Sequence, residues 1–355
     1  MQKRTLGRTG LEVSIVGMGG IPIRRCSDRE AVDLYKYAID SGINYFDAAR
    51  GYTDCHSRLG PAVKGRRDEV VIASKDGAAT EQDMMAAIDD SLRVLDTDYI
   101  DIFKLHGVCQ FDDLEKRTGP GAALDGLRKA QEQGKIRYIG ISGHNSDVLL
   151  KAVETGAFDV ILVIFNYMNT GPEERLLDAC VEHGVGVTVM KPLGGSVLAQ
   201  HSDLALRWVL QHEQVSTVCP GMWREWEVDA NTKVGTEFAP LSEAEMQVIA
   251  DQRQMRSPMF CRLCYRHHAC PNGVVIDDMM IADLNYTRFG IELLMGRGWG
   301  DAVEATGQCL NCELAEECAA SCQHGVDIPR YLAHVYTTYM PLVTEYRRTH
   351  PACGT

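Results

Sequence analysis

Four side chains capable of acid–base chemistry follow three successive apolar runs of the chain. Asp47 and Tyr52 end the run INYFDAARGY, Lys75 ends VVIASK, and His106 ends IDIFKLH. In a parallel barrel, the loops after the C-terminal ends of the strands build the active site. A turn carboxylate, a half-buried phenol or a solvated ammonium is unremarkable by itself. The occurrence of all four at the ends of neighbouring strands predicts a catalytic site.

Reduction of a carbonyl explains why these residue types belong together. The reaction needs a hydride on carbon and a proton on oxygen, and a free tyrosine has a pKa of about 10. The Lys75 ammonium would favour the phenolate and so lower the pKa of Tyr52. Asp47 could hold Lys75 in place, and a neutral His106 could orient the carbonyl or stabilise an alkoxide.

In this order, the four residues also resemble the catalytic tetrad of the aldo-keto reductase family. The resemblance implies an NAD(P)-dependent oxidoreductase that interconverts a small-molecule carbonyl and an alcohol, with Tyr52 as proton donor and acceptor. Lys75, Asp47 and His106 would support Tyr52. One alternative is a lyase or isomerase of a sugar-like substrate that uses the same four residues without net redox change. The other is a non-catalytic or electron-transfer partner in a larger complex.

Eight apolar runs alternate with helical patterns over the first 233 residues. Most of these runs are continuous, as expected for parallel strands buried on both faces. We therefore predict a (β/α)₈ TIM barrel within residues 1–250, with a capping box of Ser27 and Glu30 opening its first helix. The opening segment Arg4–Val13 is expected to plug the barrel bottom, as in the family. The predicted strands are Val13–Gly17, Ile43–Asp47, Val70–Ser74, Ile100–Leu105, Ile136–Ser142, Val160–Asn166, Gly186–Met190 and Ser216–Cys219.

Composition excludes several classes of partner. The net charge of −13 over 355 residues argues against a surface for nucleic acid or an anionic membrane. No stretch approaches the ~20 apolar residues of a transmembrane helix. The first residues, MQKRTLGRTGLEV, lack the apolar core of a signal peptide, so we expect a cytoplasmic location.

The end of the chain is dense in cysteine, with eight of the 13 cysteines after residue 260. One motif contains Cys261, Cys264 and Cys270, and the other contains Cys309, Cys312, Cys318 and Cys322. Close C-x₂-C pairs followed by a terminal cysteine, twice over, are typical of bacterial ferredoxins. Residues 251–355 thus resemble the C-terminal ferredoxin-type domain found in one branch of the aldo-keto reductases.

The resemblance implies a small, mainly helical ferredoxin-like domain with a 4Fe-4S cluster on the second motif. In the first motif, His267 stands at the position of the third cysteine, and this site could hold a second cluster. The last cysteine of each motif could also serve the other cluster. Structural zinc is the alternative for both sites. A cluster could be structural, or it could pass electrons to another protein.

The family resemblance also implies a nicotinamide dinucleotide, NADP or NAD, extended across the barrel top. Arg224 is the candidate for contact with the 2′-phosphate of NADP. Three positions depart from the family pattern, with Gly143, Leu162 and Met190 replacing two amide side chains and an aromatic ring. His144, Asn145 and Lys191 could compensate. The matching positions are Gly19, Gly20, Ser142, Met190, Lys191, Pro192, Leu193, Gly221, Arg224, Glu227 and Asn231.

Overall fold

The computed structural model describes residues 1–52, 54–264 and 269–351. The chain divides into two compact units, Met1–Met246 and Gln247–Thr355. In the described part of the chain, no helix is both long enough and apolar enough to cross a membrane.

The first unit is a closed parallel barrel. Strands β3 to β10 pair in chain order, all in parallel. Parallel bridges from Val16 to Val218 and from Gly19 to Gly221 join the first barrel strand to the last. The predicted (β/α)₈ architecture is confirmed. The strands are β1 Lys3–Thr5, β2 Glu12–Ser14, β3 Met18–Gly19, β4 Tyr45–Asp47, β5 Val71–Asp76, β6 Ile100–Leu105, β7 Ile136–Gly143, β8 Val160–Ile164, β9 Gly186–Met190 and β10 Val215–Cys219.

Helices connect the barrel strands, and local capping defines where they begin. Ser27 Oγ accepts a hydrogen bond from the Glu30 N–H, and Glu30 Oε2 accepts one from the Ser27 N–H, which confirms the predicted capping box. The helices up to residue 256 are α1 Asp28–Asp40, α2 Cys55–Val63, α3 Glu81–Leu95, α4 Phe111–Thr118, α5 Ala123–Glu132, α6 Ser146–Glu154, α7 Gly171–Glu174, α8 Leu176–Glu182, α9 Ser202–Leu210, α10 Glu225–Thr236 and α11 Glu243–Arg256.

An antiparallel hairpin of β1 and β2 covers the N-terminal end of the barrel. Leu6, between the two strands, is fully buried and belongs to the same apolar cluster as Val71 and Val160, the first residues of β5 and β8. The expected strand at Val13–Gly17 is wrong in its bounds. Val13 pairs with Arg4 in the hairpin, and the first barrel strand comes later, at Met18–Gly19, because the hairpin ladder already occupies Glu12–Ser14.

The second unit is helical, and no strand is assigned among its described residues. Its core gathers aromatic side chains around Trp299, and the Asp283 carboxylate accepts hydrogen bonds from Tyr331 Oη at 2.8 Å and Tyr339 Oη at 2.6 Å. Burial, together with Asp283, raises the pKa of both phenols, so they remain protonated donors. The helices are α12 Ile276–Met279, α13 Ala282–Met295, α14 Trp299–Ala305, α15 Ala315–Ala320 and α16 Ile328–Thr349.

Candidate functional site

The C-terminal ends of three adjacent strands bring the predicted acid–base residues together. Asp47 ends β4, Lys75 lies near the end of β5, and His106 follows β6. Lys75 Nζ donates to Asp47 Oδ2 at 2.6 Å and to the Ala48 carbonyl oxygen at 2.8 Å. Both charged side chains are buried, with exposed fractions of 1% and 5%. The ammonium is therefore held in one position.

Tyr52 and His106 lie beside this ion pair. Lys75 Nζ is 4.7 Å from the centroid of the Tyr52 ring. The Tyr52 and His106 rings meet edge to face, with their centroids 5.9 Å apart. The structure thus places all four residues at one site on the barrel, as the positions of the strand ends predict.

Burial and the neighbouring charges set the protonation states of His106 and Asp47. Burial, and then the Lys75 charge, lower the pKa of His106 to about 4, so its imidazole is neutral at neutral pH. Burial alone would raise the pKa of Asp47, but Lys104 and Lys75 outweigh it and keep the pKa of the carboxyl below its ordinary value. Asp47 is consequently an anion, and His106 can act as a neutral hydrogen-bond donor.

Lys104, which sequence reasoning missed, is part of the same site. Its Nζ donates to Asp47 Oδ1 at 2.8 Å and to Tyr45 Oη at 3.3 Å, and the side chain is fully buried. The pattern of IDIFKL predicts only an apolar strand ahead of His106. A single lysine inside such a run is the available signal, because a buried lysine needs an anionic partner.

Gly140 on β7 makes the space that the Lys104 side chain occupies. A Cβ atom there would lie 2.8 Å from Lys104 Cγ and 2.9 Å from the Val160 carbonyl oxygen. We expect Gly140→Ala to lower the free energy of unfolding of the barrel by about 1–3 kcal/mol, because neither neighbour can move away freely. Denaturant unfolding checks this. Gly77→Ala is the control, since no atom lies within 4 Å of a Cβ at that position; equal stability of the two variants would contradict the prediction.

The glycines predicted to contact a cofactor are required by packing within the protein. A Cβ at Gly19 would lie 2.9 Å from the Cys219 carbonyl oxygen. At Gly20 it would collide with Cys55 Sγ, and at Gly221 with the Pro22 ring. These close approaches require glycine at all three positions, and they do not test the predicted contact with a cofactor.

Ser142, at the end of β7, has its hydroxyl engaged within the protein. Ser142 Oγ donates to the Leu105 carbonyl oxygen at 3.1 Å and accepts from the Gly107 N–H at 3.0 Å, and the residue is 1% exposed. A hydroxyl has one proton to donate. Through these two hydrogen bonds, Ser142 connects the end of β7 to the end of β6 and to the loop after it.

The residues after β9 form a turn beside His144. Lys191 has a φ of 51°, in the left-handed region, and its Nζ lies 2.9 Å from His144 Nε2. Asn166 Nδ2 donates to the Lys191 carbonyl oxygen at 3.0 Å. The other members of this predicted group are Met190, which ends β9, Pro192, which is buried, and Leu193, which is half-buried. Two of the residues expected to compensate for the missing amides, His144 and Lys191, are therefore in contact.

Two arginines lie against one indole in the loops after β3 and β10. The guanidinium carbon of Arg224 is 4.0 Å from the ring of Trp223, and that of Arg25 is 4.9 Å from it. Glu227 accepts hydrogen bonds from the Trp223 and Arg224 N–H groups at 2.8 and 3.1 Å and thereby fixes this loop. Asn231 is buried on α10. Arg25 was not among the predicted residues; its signal in the sequence is a pair of arginines soon after the first strand.

In the second unit, four cysteines line one small cavity, which we call the four-cysteine cavity. They are Cys270, Cys309, Cys312 and Cys318. Burial, and then the other three thiols, raise the pKa of Cys309 to about 11. The last cysteine of the first motif therefore lies with three cysteines of the second.

The remaining cysteines form a second group. Burial, and then the nearby Cys264 and Cys322, raise the pKa of Cys261 to about 11. The Leu263 N–H donates to Cys261 Sγ, and the Val326 N–H donates to Cys322 Sγ, both at 3.4 Å. The last cysteine of the second motif thus lies with the first motif. Each motif therefore contributes its last cysteine to the group that the other motif forms, and we call this the crossed arrangement.

Within the described residues, no three His, Cys, Asp or Glu side chains converge closely enough to hold a single metal ion. His267, the predicted substitute for a cysteine in the first motif, lies outside the described residues.

Comparisons with known proteins agree with the barrel. The chain is 29% identical over 290 residues to the L-galactose dehydrogenase of Arabidopsis thaliana, covering 68% of this chain and 90% of that protein. It is 25% identical over 312 residues to the probable aldo-keto reductase 1 of Glycine max, covering 70% and 88%. The solved structure of aldo-keto reductase AKR11C1 from Bacillus halodurans (holo form) superposes with a TM-score of 0.62 at 27% identity, covering 71% of this chain and 96% of that one.

The model of the Aldo/keto reductase family matches residues 15–204, more than half of the chain. That match includes the four residues assembled at the ends of β4, β5 and β6. The chain belongs to the aldo/keto reductase family and is an NAD(P)-dependent oxidoreductase.

Proposed function

We propose that the protein reduces small-molecule carbonyls with NADPH, and oxidises the corresponding alcohols with NADP, through Tyr52 as proton donor and acceptor. One observation carries this proposal. A buried ammonium, Lys75, is fixed by Asp47 at 2.6 Å and lies 4.7 Å from the Tyr52 ring, next to the neutral imidazole of His106. This arrangement suits a phenol that must give up and recover a proton near neutral pH.

Each of the four side chains has a distinct task in the reduction. When bound, the reduced nicotinamide supplies the hydride that reaches the carbonyl carbon. Tyr52 gives its hydroxyl proton to the carbonyl oxygen, and the phenolate that remains is stabilised by Lys75 until it takes a proton from solvent. His106 donates a hydrogen bond that orients the carbonyl and stabilises charge on its oxygen. Asp47 keeps Lys75 in position throughout.

A spectrophotometric assay of NADPH oxidation with 4-nitrobenzaldehyde tests the class of reaction. We expect NADPH to be consumed only in the presence of the aldehyde, with 4-nitrobenzyl alcohol as the product. Cleavage or rearrangement of a sugar without nucleotide consumption would instead support the lyase or isomerase alternative, which membership of the family does not favour.

The pair of arginines on Trp223 supports NADP over NAD. A 2′-phosphate carries up to two negative charges, and planar guanidinium groups match the geometry of phosphate oxygens. Arg25 and Arg224 approach the same indole from two loops of the barrel, which places two cations near one point.

Replacing both arginines should change the preference for nucleotide. We expect Arg25→Gln with Arg224→Gln to raise KM for NADPH by at least about tenfold, since each hydrogen bond to a charged group contributes about 1.5–3 kcal/mol. The KM for NADH should change little. Steady-state kinetics with both nucleotides measure the ratio, and Arg29→Gln, an exposed arginine on α1, is the control. An equal loss with NADPH and NADH would refute the 2′-phosphate assignment.

We also propose that the second unit is a ferredoxin-like domain holding a 4Fe-4S cluster in the four-cysteine cavity. Four thiols around one cavity suit this group, and Asn272 Nδ2 donates to Cys312 Sγ at 3.9 Å, the kind of contact that tunes a cluster. Structural zinc requires four ligands at about 2.0–2.3 Å from one ion. Zinc on the same four thiols is the alternative, and iron and zinc analysis of the purified protein distinguishes the two.

The group of Cys261, Cys264 and Cys322 is the candidate for a second cluster. Two backbone N–H groups already donate to its sulfur atoms, an arrangement that stabilises negative charge on cluster ligands. A bound cluster would supply one-electron chemistry, whereas the hydride moves two electrons together. We therefore propose that any cluster is structural or serves another protein.

A further inference from the structure

Asp47 accepts hydrogen bonds from two ammonium groups, one on each carboxylate oxygen. Lys75 donates to Oδ2 at 2.6 Å and Lys104 to Oδ1 at 2.8 Å, and all three side chains are buried. Lys75 and Lys104 are register partners on β5 and β6, so both enter the barrel at the same level. The tetrad chemistry needs only one of these lysines. The second has no assigned role.

The groups that face Lys104 from the neighbouring strands act on the pKa of its ammonium. β4 contributes Asp47 and Tyr45, β5 contributes Lys75, β7 presents the side-chain-free Gly140, and β10 presents Cys219. Burial lowers the pKa of Lys104, with Asp47 opposing that effect. Burial also raises the pKa of Cys219, so its thiol stays neutral and Asp47 is the anion next to Lys104.

The net charge of Lys75, Asp47 and Lys104 determines the electrostatic potential at the Tyr52 phenol. A single lysine on Asp47 would form a neutral pair, whose field weakens quickly with distance because the two charges oppose each other. With a second ammonium on the far oxygen, the three groups together carry a net charge of +1. Lys75, the member nearest to Tyr52, then acts on the phenol without being cancelled by its own counter-ion.

We propose that Lys104 is a positioning residue that neutralises Asp47, so that the charge of Lys75 is left to stabilise the phenolate of Tyr52. The inference rests on the proposed role of Tyr52 as proton donor and acceptor. Lys104 itself does not reach the substrate; it acts through Asp47 and Lys75.

Two substitutions separate charge from hydrogen bonding. Lys104→Gln keeps an amide donor for Asp47 Oδ1 but removes the charge, and Lys104→Met removes both. The first readout is the tyrosinate absorbance of the nucleotide-free protein as a function of pH, taken as the difference between each protein and the same protein with Tyr52→Phe. This difference isolates one phenol and does not depend on activity.

We expect the Tyr52 phenol to titrate at least about 0.5 pH unit higher in both Lys104 variants, since removal of a nearby positive charge disfavours the phenolate. The pH at which oxidation of 4-nitrobenzyl alcohol by NADP reaches half its plateau should rise in the same direction. Lys64→Gln, a surface lysine paired with Asp96, is the matched control and should titrate as the original protein does.

A titration of Tyr52 that is unchanged in Lys104→Gln would overturn the proposal and leave Lys104 with a structural hydrogen bond only. If Lys104→Met does not fold, Lys104→Gln alone decides. If the protein proves inactive towards carbonyls while the titration still shifts, the proposed function fails and the electrostatic role of Lys104 stands. If the enzyme is active and the titration does not shift, the proposed function stands and the electrostatic role of Lys104 fails.

Discussion

Replacing Tyr52 with phenylalanine should lower kcat for carbonyl reduction at least about 100-fold, the usual contribution of general acid catalysis. The change removes one hydroxyl from a ring that remains next to Lys75 and His106. The fold should persist, and the affinity for NADPH should be unchanged. Kinetics with 4-nitrobenzaldehyde, together with a fluorescence titration with NADPH, measure both properties.

Tyr138→Phe is the matched control for Tyr52→Phe. The hydroxyl of Tyr138 donates to the Thr9 carbonyl oxygen at 2.6 Å at the barrel bottom, away from the strand ends that carry the tetrad. Its loss should leave kcat nearly unchanged. Full activity of the Tyr52 variant would transfer the acid role to another group, with His106 as the first candidate.

Removal of two cysteines should abolish the proposed cluster. We expect Cys309→Ser with Cys312→Ser to lose the visible absorbance and the iron of the four-cysteine cavity and to loosen the second unit, because metal-dependent small domains take much of their folding free energy from the metal. The barrel should stay folded. Iron and sulfide analysis after purification without oxygen measures the loss.

The crossed arrangement makes this test more specific. Cys270→Ser should remove the same cluster as the double variant, although Cys270 belongs to the other motif, whereas Cys322→Ser should leave the cavity intact. Cys180→Ser, at a buried thiol of the barrel, is the control. Unchanged iron in the double variant would move the cluster assignment to the group of Cys261, Cys264 and Cys322.

Site residues could be predicted from the sequence where the end of a strand determines the position of the side chain. The runs that end at Asp47, Lys75 and before His106 are short and apolar, and parallel strands of a barrel place their C-terminal ends at one rim. The start of a helix could also be predicted from its capping residues, as the capping box of Ser27 and Glu30 demonstrates. These features depend on residues close together in the chain.

Features that depend on packing between distant residues could not be predicted. Lys104 looks like an interruption in an apolar strand, because its partner Asp47 lies on another strand. Ser142 hydrogen-bonds to the backbone at the end of β6 and in the loop that follows, more than 30 residues earlier in the chain. Arg25 approaches Trp223 only once the barrel closes. In each case the deciding neighbour is distant along the chain.

Transfer of a labelled hydride tests the central claim most directly. The protein is incubated with 4-nitrobenzaldehyde and NADPH that carries deuterium at both C4 positions of the nicotinamide, and the alcohol is analysed by mass spectrometry. The proposed reaction predicts deuterium on the carbinol carbon, with Tyr52→Phe forming the same labelled alcohol at least about 100-fold more slowly. An alcohol without deuterium, or a labelled alcohol formed equally fast by the Tyr52 variant, would contradict it.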